Sequence, residues 1–100
     1  PLPVDEVCFF YTLNEKVMAY TADGKVHPVD RTLDALGEQL DGDTFFRANR
    51  QFIIASKAIR DIDLWFGSRL SVNLQIPLPE RIIISKTKTP VFKRWIAAEQ

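Results

Sequence analysis

Residues 45–58 read FFRANRQFIIASKA, and this stretch decides how the chain is built. Two arginines, an asparagine and a glutamine stand between an aromatic pair and an apolar run. The run at residues 51–55 is short and rich in Ile and Phe, which predicts a buried strand. Apolar flanks of this kind anchor a polar segment on a core and turn its guanidinium and amide groups outward. Those groups are suited to phosphates and base edges.

Working outward, Ser56-Lys57-Ala58 predicts a turn and residues 59–66 a strand that ends at Gly67-Ser68. Residues 69–75 alternate cleanly. Leu70, Val72 and Leu74 share one face, and Arg69, Ser71, Asn73 and Gln75 the other. Pro77 and Pro79 mark an irregular link, and residues 81–85 a further strand. Thr89 followed by Pro90 predicts a helix N-cap with Pro at the first helical position. Val91, Phe92, Trp95 and Ile96 give that helix one apolar face.

Upstream, residues 7–12 and 16–21 are β-branched and aromatic runs separated by Leu13-Asn14-Glu15. Asp23-Gly24 is a hairpin signal, from which residues 25–29 return. Pro28 places that return at a sheet edge or a strand end. Leu33, Leu36 and Leu40 then recur at helical spacing, with Thr32 or Asp30 as N-cap and Gly42 as the stop. Gly37 costs this helix about 1 kcal/mol relative to Ala, so packing must hold it. The result is a mainly β, antiparallel domain with short helices near residues 32–41 and 89–98. A parallel sheet would need repeated strand–helix–strand units, which the pattern lacks.

One hundred residues suffice for a single core. No apolar run approaches the roughly 20 residues of a membrane span, and PLPVDE lacks the regions of a signal peptide. We therefore expect a cytoplasmic domain without membrane contact, cut from a longer protein. Cys8, in an apolar run, reads as a buried thiol. The formal net charge of zero conceals an asymmetry. Residues 1–43 carry nine acidic and three basic groups, whereas residues 44–100 carry four acidic and ten basic ones. Either the basic half meets an anionic partner or the two halves attract each other.

Catalysis finds little support. His27 is the only histidine, and the sequence has no Gly-rich phosphate loop, GxSxG elbow or clustered His/Cys spacing. No cofactor and no metal are expected. Binding is better served, because three segments carry donors: Asn14-Glu15-Lys16, residues 47–51, and Ser85-Lys86-Thr87-Lys88. Arg bonds bidentately to guanine and Asn or Gln to adenine, while Lys, Ser and Thr suit phosphates. The helix start at Thr89 offers a further place for a phosphate. Alternatively, Arg47 pairs with the acidic half, and Lys86 and Lys88 are solubility charges.

The order of these segments resembles the LytTR DNA-binding domain, the output module of many bacterial two-component response regulators. Its most specific part here is Phe45-Phe46-Arg47-Ala48-Asn49-Arg50-Gln51-Phe52-Ile53-Ile54, followed by Ala58-Ile59-Arg60-Asp61-Ile62. These are similar to the family's F-x-R-x-H-R-S/Q-φ-φ-V pattern and its downstream I-x-x-I. Asp23-Gly24-Lys25, Ile84-Ser85-Lys86 and Phe92-Lys93-x-Trp95 follow in family order. The resemblance runs from about Glu6 to Ile96.

It implies an elongated fold of about ten short strands in small antiparallel sheets, whose loops enter successive major grooves of promoter DNA. By position it implies Glu15 and Lys16 from the first loop and Arg47, Asn49 and Arg50 from the second. From the third it implies Ser85 and Lys86. We expect Arg50 and Lys86 at bases, and Lys16, Arg47, Ser85 and Lys88 at phosphates. Asn49 stands where the family commonly has histidine, and Lys86 where it has arginine; lysine lacks arginine's planar fork. Further expectations are an N-terminal receiver domain in the full-length protein and a second protomer on paired half-sites, where two weak modules gain from effective concentration. The competing reading is a peptide-binding β module built on Trp65 and Phe66.

Overall fold

A computed structural model describes residues 2–99. The first strands, β1 (Val7–Leu13) and β2 (Lys16–Thr21), form a hairpin with Leu13 opposite Lys16. Asn14 and Glu15 make its two-residue turn, with φ of 52° and 65°. That is the type I′ handedness, whose twist matches the strands on either side. Asn enters this region readily; Glu does not, so the pairing around it holds Glu15 in place.

Gly24, with φ of 83°, makes the next turn. The Asp23 carboxylate accepts from the Thr21 hydroxyl and from the Lys25 amide. These bonds hold its pKa below the usual carboxylate range. Strand β3 (Val26–Val29) then lies at the edge of the sheet with Pro28 opposite Met18, as its missing N–H requires. In helix α1 (Leu33–Gln39) the Thr32 hydroxyl accepts from the Ala35 amide, and Leu33 and Leu36 face the core. The backbone turns extended at Leu40, two residues before Gly42, so Gly42 does not stop the helix. Its carbonyl has another use, accepting from the Trp95 indole N–H at 2.8 Å.

Residues 45–55 fold into a hairpin that includes a strand not anticipated from the sequence. Strands β4 (Phe45–Arg47) and β5 (Phe52–Ala55) pair with Phe46 opposite Ile54 and Arg47 opposite Ile53. The five strands form a sheet in the order β3-β2-β1-β5-β4. A 3-10 turn at Ser56–Ala58 leads into β6 (Ile59–Trp65), β7 (Arg69–Leu74) and β8 (Ile82–Ile84), a second antiparallel sheet. The turn between β6 and β7 falls at Gly67-Ser68, as expected. Leu70, Val72 and Leu74 are buried, but so is Ser71 of the opposite face, whose hydroxyl accepts from Arg81. Among the described residues there are eight strands, because residues 41–44 and 75–81 remain turns and link.

One core spans both sheets. Phe9, Phe10, Phe52, Ile53 and Ile54 from the first meet Val72, Ile82 and Ile84 from the second. Helix α2 (Thr89–Ala98) closes it with Phe92 and Trp95, whose rings lie 5.3 and 5.1 Å from that of Phe46. Val91 stays exposed and does not join that face. Cys8 is buried, which pushes its thiol pKa up.

The buried Tyr11 phenol donates to a Glu80 carboxylate oxygen at 2.5 Å and so ties β1 to the link before β8. This bond, with burial and the Glu80 charge, pushes the Tyr11 pKa from 10 up to about 12. A group whose pKa is raised on folding stabilises the fold below its unfolded pKa and loses that contribution as pH rises through the folded one. Tyr11→Phe should therefore cost about 1–3 kcal/mol at neutral pH. In chemical denaturation the gap between variant and parent should close between pH 10 and about 12. A gap that persists unchanged there would contradict this.

Candidate nucleic-acid interface

The polar residues of the quoted stretch form the loop of the β4–β5 hairpin. Ala48 N–H donates back to the Phe52 carbonyl, closing the strands around residues 48–51. Arg47 then shapes the loop from beneath. Its Nε donates to the Asn49 carbonyl at 2.7 Å and its Nη2 to the Arg50 carbonyl at 3.2 Å. Its Nη1 meets Asp34 of α1 at 2.8 Å. Here the attraction between acidic and basic halves of the chain is realised. The Arg47 guanidinium thus serves the loop's conformation, with Asp34 offsetting its charge.

Asn49 is likewise engaged. Its Oδ1 accepts from the Gln51 and Phe52 amides, at 2.9 and 3.0 Å. Its Nδ2 donates to the Ile83 carbonyl of β8 at 3.0 Å. Bidentate recognition of adenine needs an acceptor and a donor presented together, and the acceptor of Asn49 is occupied within the fold. What this amide does in the structure is fasten the loop to the second sheet.

That fastening leaves Arg50 exposed at the loop's crest. Among the described residues its guanidinium has no hydrogen bond and no ion pair. Arg47 and Arg50 both line an open depression that also receives Glu15 and Lys16 from the β1–β2 turn. On the other side they border a second depression with Ser85 and Lys88. Donors from the three predicted loops therefore meet around one ridge, formed by the 48–51 loop. Lys86 lies exposed between Ser85 and Lys88 in sequence, with no ion pair among the described residues.

The third segment differs from its sequence reading at the helix start. Lys88, not Thr89, occupies the cap position, and it has helical dihedrals. The Thr89 hydroxyl donates to the Ser85 carbonyl at 2.8 Å. Ser85 does the capping, its Oγ accepting from the Lys88 amide. The cause is local: residues 86–88 already turn helically, so the natural cap lies at the strand end. Lys88 is half-buried with its ammonium 5.6 Å from the Phe46 ring centre. Burial, then the nearby Arg47 charge, pushes its pKa down.

Two cations that the sequence reading did not single out, Arg31 and Arg69, also line these depressions. No sequence signal flags Arg69; the register of the second sheet brings it here. Leu70 pairs with Ile84, so one step outward Arg69 comes level with Ser85. At the C-terminal end of β6, where Trp65 pairs with Arg69, the Arg81 guanidinium covers the Trp65 ring at 4.1 Å, while Phe66 is 76% exposed. No group of three or more His, Cys, Asp or Glu among the described residues could hold a metal ion. No helix among them is long and apolar enough to cross a membrane.

A family model described as LytTr DNA-binding domain matches residues 1–97. A search of curated proteins finds no match. Among solved structures, the fold is similar to one described as the LytTr DNA-binding domain of a methyl-accepting/DNA response regulator from Bacillus cereus. The TM-score is 0.82 at 20% sequence identity, covering 96% of this chain and 85% of that one.

Proposed function

The chain belongs to the LytTr DNA-binding domain family, and from that premise we propose that it reads promoter DNA by inserting the ridge around Arg50 into the major groove. DNA is its partner as a member of that family. We assign the base contacts to Arg50 and Lys86. Lys16, Ser85 and Lys88 take flanking phosphates, and Glu15 orients the first loop against the second. Arg47 and Asn49 act one step back, by fixing the loop that carries Arg50. The observation that carries this reading is the contrast at the ridge. Arg47 is paired with Asp34, whereas the neighbouring Arg50 is held outward with no partner among the described residues.

The whole chain, residues 1–100, is on this reading one domain of a cytoplasmic, non-enzymatic response regulator that follows a receiver domain. The response regulator named for the Bacillus cereus structure supports that placement. Neutral net charge favours modest non-specific affinity, and two protomers on paired half-sites would then supply the binding strength.

Selection from a pool of random-sequence duplexes, followed by titration across salt, tests the proposal. The expected outcome is an enriched motif and an affinity that falls steeply with salt. No enrichment and a flat salt dependence would overturn it.

A further inference from the structure

The β6–β7 turn brings a further cation to the depression beside Arg50, and no carboxylate lines that side. Its cations are Arg47, Arg50, Arg69 and Lys88. The depression on the other side of the ridge is mixed, with Glu15, Asp30 and Asp34 among its lining residues. An anion therefore gains most where Arg69 stands.

Arg69 is also built to present its charge. Its Nε donates to the Phe66 carbonyl at 2.7 Å, across a turn in which Gly67 and Ser68 both have positive φ, 69° and 60°. This bond fixes the plane of the guanidinium. Among the described residues its Nη1 and Nη2 have no hydrogen-bond partner. A planar fork held by one nitrogen with the others free loses little entropy on meeting a phosphate. Position agrees with orientation, because Arg69 comes level with Ser85 across β7 and β8. The Asn49–Ile83 bond sets the Arg50 loop on that same strand end.

We propose that the β6–β7 turn is a fourth DNA-contacting element, in which Arg69 holds a backbone phosphate of the duplex that Arg50 reads. This rests on the groove-reading function above and adds to it an anchor from the second sheet.

The test is to titrate the chain and its Arg69→Ala and Arg69→Lys variants with random-sequence duplexes over a salt series. Arg69→Ala should bind several-fold more weakly and lower the magnitude of the log–log salt slope by about 0.9, the share of one phosphate contact. Arg69→Lys should keep the slope, because it keeps the charge. Both variants lose the bond to Phe66, so any loss of melting temperature from the turn is common to both. Motifs selected by Arg69→Ala should match those of the parent. Unchanged affinity and slope in Arg69→Ala would overturn the proposal. So would equal losses of slope in both variants, which would reduce Arg69 to a brace for the turn. A parent that binds no duplex at all would instead overturn the groove-reading function on which the proposal rests.

Discussion

Replacing both Arg50 and Lys86 with alanine should remove sequence-specific DNA binding while leaving the fold intact. Each lost base contact is worth about 1–3 kcal/mol, and the two side chains come from separate loops, so their losses should add. Neither makes an ion pair among the described residues, and both are exposed. Thermal stability should therefore stay within about 0.5 kcal/mol of the parent. Selection with each single variant should relax a different position of the enriched motif. Retained affinity and preference in the double variant would remove the base-reading role from these residues. A loss of stability on the same scale as the loss of affinity would also contradict it.

The second large effect falls on a neighbour of Arg50 and has the opposite character. Asn49→Ala removes an acceptor shared by two backbone amides and a donor to the Ile83 carbonyl. Two of these three bonds are part-buried, and leaving their groups without partners should cost about 2–4 kcal/mol in total. In a domain of this size each kcal/mol corresponds to roughly 4–8 °C of melting temperature. DNA affinity should fall as well, because the ridge is no longer fastened to β8, but the enriched motif should stay the same. A base-reading Asn49 would behave in reverse, with unchanged melting and an altered motif. Melting curves and selection on this one variant separate the two roles.

These two residues show what the sequence made legible and what it did not. Strand positions with strong alternation were readable. Leu70, Val72 and Leu74 face the core, and Pro28 marks an edge. Strand β4 is not legible in the sequence because Phe45-Phe46-Arg47 is too short to show a period; only its pairing with residues 53–55 defines it. The polar loop was located correctly, but side-chain type does not reveal direction. An asparagine that could meet adenine equally closes a turn on its own backbone, and Asn49 does so. The Arg47 guanidinium turns back to Asp34, 13 residues earlier in the chain, a pairing fixed by how α1 packs. Thr89 followed by Pro90 does mark the helix start, displaced by one residue: Thr89 is the first helical residue rather than the cap, because Ser85 already holds the turn before it. Arg69 read as one more residue on the polar face of a strand. Its place beside Arg50 depends on the register of the second sheet, which local pattern does not encode.

The central claim is that one ridge, with Arg50 at its crest, meets DNA. Backbone amide chemical shifts followed during titration with a selected duplex test it most directly. The largest changes should fall on Glu15 and Lys16, on residues 48–51, and on residues 85–88, with Arg69 following at the edge. Changes concentrated instead on the exposed face of β6, around Ile62 and Leu64, with the 48–51 loop unmoved, would contradict the account.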